Sequence, residues 1–548
     1  MKPVYLLFGI AVILFAYRLD AFSYLESSEA RYTEISREML VSGDYVTPTL
    51  IDIRHFHKPP FTYWATAFSF HLFGLSNLSA RVFPAFCGLG ILILTFLMSR
   101  MVFPGKDQIH LWSVVILMSS LLFLVQARVV TTDIYLSFFT MGAIYFQWKR
   151  KFFGGSRRLV LPAAIFLALA FLTKGPIPFI FYFLPYFIYI GFLSQLRKPR
   201  LPELLQFLII FLLITAPWFW FIIRDHPRLI DYFLVNQTLD RYATTVHHRS
   251  GFPAYYLGVL LAGMLSWFLF YFPSLILTLK QWKSRFDYQW EYLLITYTMI
   301  PLISFSFSGS KLPAYIAPTL PFFAILLAYW IFEKYRDRPF GTIHVINTGV
   351  CILIPLVLLI NPFKNTPPHL DDFHSLFWIL LGIPVGFFFL YRFFLKFRNI
   401  RFEWGYGVFN IVLFISLVTV LPAVQEDLNS FEGMAKVINQ HIQNGEYVVS
   451  YKIRLPSLYF YTGHRVIHLM HNREVQFETA DAQPDLQRYL SNDPEKFAEF
   501  LNADTGYYIA IRRKDWEKYI WNRMELGAKA DTLYENKKFL LLKNRGGN

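Results

Sequence analysis

Residues 79–99 read SARVFPAFCGLGILILTFLMS, an apolar run whose one charged residue is Arg81. Its length matches the roughly 20 residues a helix needs to cross a bilayer core. The run is not isolated. Apolar segments recur at about 4–19, 79–99, 108–127, 132–148, 159–173, 176–194, 203–223, 253–277, 290–308, 312–332, 343–360, 373–391 and 403–422. Backbone polar groups in lipid must be satisfied within the segment, so blocks of this kind predict helices. A transmembrane barrel would show alternating stretches of about ten residues instead. The chain has 548 residues, 55% of them hydrophobic, 19% aromatic and only 16% charged. Aromatic content and low charge exclude disorder. The block Tyr5 to Tyr17 has no small-residue cleavage site after it, and reads as a retained first span. Cys87 and Cys351 both fall in apolar blocks and form no disulfide framework or CxxC pair.

The formal charge of +15 would suggest nucleic acid in a soluble protein. Here it is a topology signal. With the N-terminus in the cytoplasm, the cytoplasmic loops carry 21 basic residues, among them Lys149, Arg150, Lys151, Arg157 and Arg158, against seven acids. That is the positive-inside pattern. The expected fold is therefore a polytopic α-helical membrane protein with about 13 transmembrane helices. Residues 1–422 form its membrane domain, including an external loop at 20–78, and residues 423–548 form a periplasmic α/β domain. In the loop, the stretch Ser27 to Val41 has helical charge spacing that suits a helix lying along the membrane surface. The C-terminal region holds 17 acids and 17 bases, with predicted strands at Tyr447–Tyr451, Val466–Leu469 and Tyr507–Ile511. Predicted helices cover Phe431–Gln443 and Pro494–Leu501. It contains no P-loop, dinucleotide fingerprint, HExxH or GxSxG elbow.

Ionisable groups near membrane depth are functional candidates. Three clusters fall on the external side. The first holds Glu26, Glu29 and Arg31, then His55, His57 and Lys58 before Pro59-Pro60. Carboxylates orient or deprotonate an acceptor, and Arg and Lys hold phosphate. His55 and His57 resemble half a metal site, but no third ligand stands at a recognisable spacing. The second cluster is Asp133 with Lys174, each at the external end of an apolar helix. The ordinary alternative for these two is a capping Asp and a snorkelling Lys. The third is Arg241, His248 and Arg249, with Lys311 and Tyr315 in the later stretch SGSKLPAY. No repeated filter motif marks a channel. The span centres are apolar, unlike the midplane breaks of a transporter. Chemistry at the external interface on a lipid-linked phosphate fits best, with a transporter or scaffold remaining as the alternative.

At these residues the chain resembles the bacterial lipid A aminoarabinose transferase family and related polyprenyl-phosphate-dependent membrane glycosyltransferases, the class that includes protein O-mannosyltransferases. The resemblance rests on Glu29-Ala30-Arg31-Tyr32-Thr33-Glu34-Ile35, Leu40-Val41-Ser42-Gly43-Asp44, Lys58-Pro59-Pro60, Thr173-Lys174-Gly175 and Ser310-Lys311-Leu312-Pro313-Ala314-Tyr315, taken as an ordered set. It implies an inner-membrane enzyme with 13 transmembrane helices that takes 4-amino-4-deoxy-L-arabinose from undecaprenyl phosphate. The acceptor would be a lipid A phosphate or another envelope acceptor, whose oxygen attacks the anomeric carbon with inversion. Membrane lipids would be its surroundings, and nucleic acid is not among the expected partners. It implies donor-phosphate contacts from Arg31, Lys58, Arg241 and Tyr315, and catalytic roles for Glu29, Asp133 and Lys58. Glu26, His55, His57, Lys174, His248, Arg249 and Lys311 are further candidates. No certain cofactor is implied, and a divalent metal stays open. Two positions depart from the family pattern: Ser28 stands where an Asp precedes Glu29, and His57 stands where a Glu often precedes the Lys. A different sugar or acceptor, glycan or protein, is the competing reading.

Overall fold

The computed structural model describes residues 2–192 apart from 27, 200–231 apart from 228, 252–280 apart from 253, 289–334, scattered positions between 346 and 393, 402–425, 430–469 apart from 465, 490–491, 495–522 and 530–545. Two compact units emerge: Met1–Arg18 with Val82–Val420, and Leu19–Arg81 with Leu421–Asn548.

The first unit is helical. Among the described residues, four helices are long and apolar enough to cross a membrane: Asn77–Val102, Leu201–Asp225, Tyr255–Lys280 and Pro313–Glu333. Shorter apolar helices run over Pro3–Ala16, Asp107–Met118, Pro178–Gly191 and Trp404–Thr419. The expected segments at 343–360 and 373–391 lie outside the described residues except for scattered positions. Other expected segments break for local reasons. In 108–127 the helix stops at Met118 and resumes at Leu121. The hydroxyls of Ser119 and Ser120 donate back to the carbonyls of Val115 and Ile116, each at 2.7 Å, competing with the helical ladder. In 253–277 a turn of 3-10 helix at Leu265–Trp267 interrupts, with Leu265 at φ 44°.

Glycine sets one close approach in this unit. A Cβ on Gly142, in the helix Thr132–Lys151, would stand 2.1 Å from the Phe166 ring of the helix Val160–Lys174. Arg128 settles the end of the first helix, Lys2–Ala16. It is 2% exposed and donates to the carbonyls of Leu14 and Phe15 at 2.8 Å and of Tyr17 at 2.6 Å. Those are the carbonyls a helix C-terminus leaves without partners.

The second unit is built on a six-stranded sheet in the order β5-β4-β3-β6-β8-β7. The strands are β3 (Tyr447–Tyr451), β4 (Val466–Leu469), β5 (Leu490–Ser491), β6 (Tyr507–Arg512), β7 (Ala530–Glu535) and β8 (Phe539–Asn544). β3 pairs in parallel with both β4 and β6, whereas β8 runs antiparallel to β6 and β7. Alternation along β3 sends Val448 and Ser450 to one face and Val449 and Tyr451 to the other. One face carries the helices Glu432–His441 and Pro456–Thr462, and the segment 20–78 joins them there. Ile35 and Met39 of the helix Ser28–Ser42 share a core with Tyr63, Phe431, Met434, Leu458, Val448, Tyr508 and Leu541. The loop therefore folds with the C-terminal segment, although from sequence it was grouped with the membrane portion. Its helix Ser28–Ser42 does not have the free polar face of a membrane-surface helix. Glu29, Thr33, Glu34, Ser36 and Glu38 are all buried, because polar partners within the unit receive them.

Arg81, at the start of the helix Asn77–Val102, closes this unit. Its Nε and Nη2 donate to the two Glu29 oxygens at 2.8 and 2.9 Å. Nη1 donates to the carbonyls of Leu19 and Phe22 at 3.0 and 2.7 Å. Both charges are at most 3% exposed, so removal of one strands the other in a dry site. Arg81→Met is expected to destabilise the protein by about 3–5 kcal/mol, and adding Glu29→Leu should recover much of that loss. Thermal unfolding of the single and double variants in detergent checks this.

Candidate functional site

In the second unit the candidates stand on the helix Ser28–Ser42 and on the segment after a tight hairpin of β1 (Thr49–Leu50) and β2 (Ile53–Arg54). The two central residues, Ile51 and Asp52, have φ of 58° and 60°. Two left-handed residues suit a two-residue hairpin turn, but for a β-branched side chain that backbone is strained. Glu38 offsets the strain. Its carboxylate accepts the Ile51 N–H at 2.5 Å and the Asp52 N–H at 3.3–3.4 Å. Tyr459 donates to Asp52 at 3.2 Å from the helix Pro456–Thr462. The His55 N–H then returns to the Pro48 carbonyl at 2.7 Å. The turn is thus fixed from two sides, and it delivers His55, His57 and Lys58.

One turn back along the same helix, Arg37 grips Glu34 through two bonds of 2.9 and 2.7 Å. Burial pushes the Glu34 carboxyl well above the ordinary range, against the pull of Arg37, and also raises Glu38. Glu26 takes both the Ser457 N–H at 2.9 Å and the Ser457 hydroxyl at 2.6 Å on one oxygen. Desolvation dominates there and pushes its carboxyl up to about 7, with the Ser457 bonds and the Arg31 charge pulling the other way. Arg31 is partly buried and, among the described residues, has no carboxylate within salt-bridge distance. It is therefore open to an anion. Glu29 is not placed as the sequence suggested: both of its oxygens are engaged by Arg81, which makes it an anchor of the fold. The His55 and His57 rings lie 3.9 Å apart, centroid to centroid. Among the described residues no three His, Cys, Asp or Glu side chains gather as a metal site would require.

In the first unit, Asp133 opens the helix Thr132–Lys151 and Lys174 ends the helix Val160–Lys174. Lys174 Nζ donates to Asp133 at 2.5 Å, with both side chains under 10% exposed. The same ammonium sits 4.6 Å from the centroid of the Tyr315 ring, a cation–π contact. Lys311, 9% exposed, donates to the Ser308 carbonyl at 2.7 Å. Asp133, Lys174 and Tyr315 thus form one group, drawn from two clusters that the sequence kept apart. Arg241, His248 and Arg249 lie outside the described residues. Sequence reasoning missed Arg81, Arg128, Glu38 and Tyr459, whose partners lie at separations that no local pattern reveals. The one available signal was an arginine inside an apolar run, as at Arg81.

A family model described as "Dolichyl-phosphate-mannose-protein mannosyltransferase" matches residues 4–233. The undecaprenyl phosphate-alpha-4-amino-4-deoxy-L-arabinose arabinosyl transferase of Serratia proteamaculans is 26% identical over 490 residues, covering 87% of this chain and 86% of that protein. The transferase of the same name from Yersinia pestis is also 26% identical, over 483 residues and 85% of each chain. In structure, the chain is similar to ArnT from Cupriavidus metallidurans bound to undecaprenyl phosphate. The TM-score is 0.81 at 21% identity, over 99% of this chain and 98% of that one. The apo structure of the same protein gives a TM-score of 0.78 over the same shares, at 20% identity. The likeness is one of fold.

The position of Glu26 has a consequence for pH. Its folded value is raised above the unfolded one, so the folded state holds the proton more tightly. The stabilisation is complete below about pH 4.3 and is lost as pH rises through about 7. Glu26→Gln should therefore unfold at a progressively higher temperature than the parent chain between about pH 4 and pH 8. Unfolding midpoints that shift in parallel for the two proteins over this range would contradict the assignment.

Proposed function

We infer that this chain belongs with the aminoarabinose transferases and protein-mannosyltransferase-like membrane glycosyltransferases, and that it moves 4-amino-4-deoxy-L-arabinose from undecaprenyl phosphate to a lipid A phosphate. The observation that carries this reading is the match to curated transferases of that activity over nearly the whole chain. In the reaction, an oxygen of the acceptor phosphate forms a bond to the anomeric carbon. The bond from that carbon to the undecaprenyl phosphate oxygen breaks, and its electron pair leaves with the lipid phosphate. An acceptor phosphate is already largely ionised at neutral pH, so a strong general base is unnecessary.

Charge grows on the leaving phosphate, and fixed cations in a dry site stabilise it. Arg31 and Lys58 are assigned that task, the guanidinium orienting two oxygens at once. Arg31, lacking a carboxylate partner among the described residues, is the better supported of the two. Arg241, outside the described residues, is a further cation for the same phosphate. Asp133, held by Lys174, is assigned to the sugar or the acceptor, and Tyr315 completes that group from its ring face. Glu29 acts through Arg81 as a positioning residue. A different sugar or acceptor is the second reading, favoured by Ser28 and His57, which stand where the family pattern carries carboxylates.

The proposed setting is the bacterial inner membrane, with 13 crossings, the N-terminus in the cytoplasm and residues 20–78 and 423–548 in the periplasm. The second unit supports it. Segments that share one core must lie on the same side of the membrane, so an even number of crossings must separate them. Twelve of the expected segments do.

The test is turnover by the purified chain with undecaprenyl-phosphate-linked aminoarabinose and lipid A, read by mass spectrometry of the lipid. The parent should add one aminoarabinose mass. Lys58→Ala should lose about 100-fold or more in rate at an unchanged unfolding temperature. Undiminished turnover in that variant would remove Lys58 from the phosphate site, and no product with lipid A alongside product with another acceptor would favour the second reading.

A further inference from the structure

At the end of the helix Thr132–Lys151 remote from Asp133, a cavity of about 100 Å³ opens among four helices. The helix has 20 residues, and the cavity lies roughly 20–27 Å along the axis from Asp133, which approaches the thickness of a bilayer core. Its wall is aromatic and aliphatic, including Phe146, Tyr182, Tyr186 and Phe207. One end is ionic. Arg150 and Lys151 both bind Glu203, the lysine at 2.7 Å, and Glu203 is only 5% exposed. Two cations against one carboxylate leave the buried end positive. Arg157 and Arg158 follow on the exposed turn beside it.

Arg150 is also not fully satisfied. Its Nη2 meets Glu203 and its Nη1 reaches the Gly155 carbonyl at 3.4 Å. Its Nε–H is buried and has no acceptor among the described residues. Leaving such a donor unpaired costs free energy that an anionic oxygen would remove. Phe187 and Leu204, which also line the cavity, are 53% and 51% exposed, so the slot opens sideways towards whatever surrounds the helices.

We propose that this cavity binds an anionic phospholipid, its phosphate on Arg150 and Lys151 and a stretch of one acyl chain between Tyr182, Tyr186 and Phe207. A positive end, an apolar slot and a lateral opening at the depth of the headgroups match that one class of molecule. A soluble phosphate would use the cations and leave the slot empty. The site is remote from Asp133 and Lys174 along the helix and does not depend on which sugar the chain transfers.

The experiment uses the full chain, purified and stripped of lipid in detergent. It is offered phosphatidylglycerol, phosphatidylcholine or inorganic phosphate, and bound molecules are counted by native mass spectrometry. Phosphatidylglycerol should be retained about tenfold more strongly than phosphatidylcholine. The preference should vanish in the Arg150→Gln, Lys151→Gln double variant. Leu204→Trp, which fills the lateral opening and leaves the cations intact, should reduce retention of both lipids. It decides the matter if the double variant does not fold. Equal retention of the two lipids, a preference that survives both variants, or phosphate binding without lipid selectivity would each overturn the proposal.

Discussion

A single guanidinium governs the region in which the chain leaves its first helix. Arg81 is wholly buried and gives its donors to Glu29 and to backbone carbonyls of the segment Leu19–Ser23. A buried pair of this kind contributes little net stability compared with apolar packing, but it is highly intolerant of wrong geometry. That intolerance is useful here. The pair fixes where the helix Ser28–Ser42 begins, and with it the face on which Arg31, Glu34 and Glu38 stand. The hairpin turn rests on Glu38, and the segment carrying Lys58 rests on the turn. Arg128 does comparable work in the other unit by collecting the last carbonyls of the first helix.

The two groups of candidate residues are held by different physics. Asp133, Lys174 and Tyr315 sit at the ends of apolar helices, where one ion pair and one aromatic face settle a charge that hydrocarbon would exclude. Arg31 and Lys58 sit on a soluble-type scaffold in which carboxylates are buried in number and protonation is biased upward by desolvation. The carboxylates of the second kind make the scaffold around the proposed phosphate contacts one whose stability falls as pH rises.

Hydrophobic runs carried most of the membrane reading, because period and length are local properties. Helices such as Leu201–Asp225 and Gln289–Ser306 fall within two or three residues of expectation, as do strands Tyr447–Tyr451 and Val466–Leu469. The break at Ser119–Ser120 was legible only as two hydroxyls whose back-bonding could not be weighed against the apolar run around them. The hairpin β7–β8 escaped notice because β7 mixes Asp531, Thr532 and Glu535 with few apolar residues, and β8 offers a run of only four apolar residues after a lysine-bearing turn. The burial of Ser28–Ser42 was invisible for a plainer reason: its core partners, Phe431 and Leu458, lie some 400 residues away. Motif matching identified Arg31, Lys58 and Asp133 as candidates, but it could not tell that Glu29 is consumed by Arg81 while Arg31 is left without a carboxylate.

The second unit is discontinuous, and that has a consequence for how the chain is made. Residues 19–81 present Ile35, Met39 and Tyr63 to a core that residues 421–548 complete, with some 340 residues of chain between them. At synthesis rates of about 5–20 residues per second, the first segment waits roughly 20 to 70 seconds for its partner. During that interval the apolar face of Ser28–Ser42 and four buried carboxylates have no core to enter. A nascent chain in this condition needs shelter, from the adjoining lipid surface or from a holding chaperone, until the last strands arrive to close the sheet.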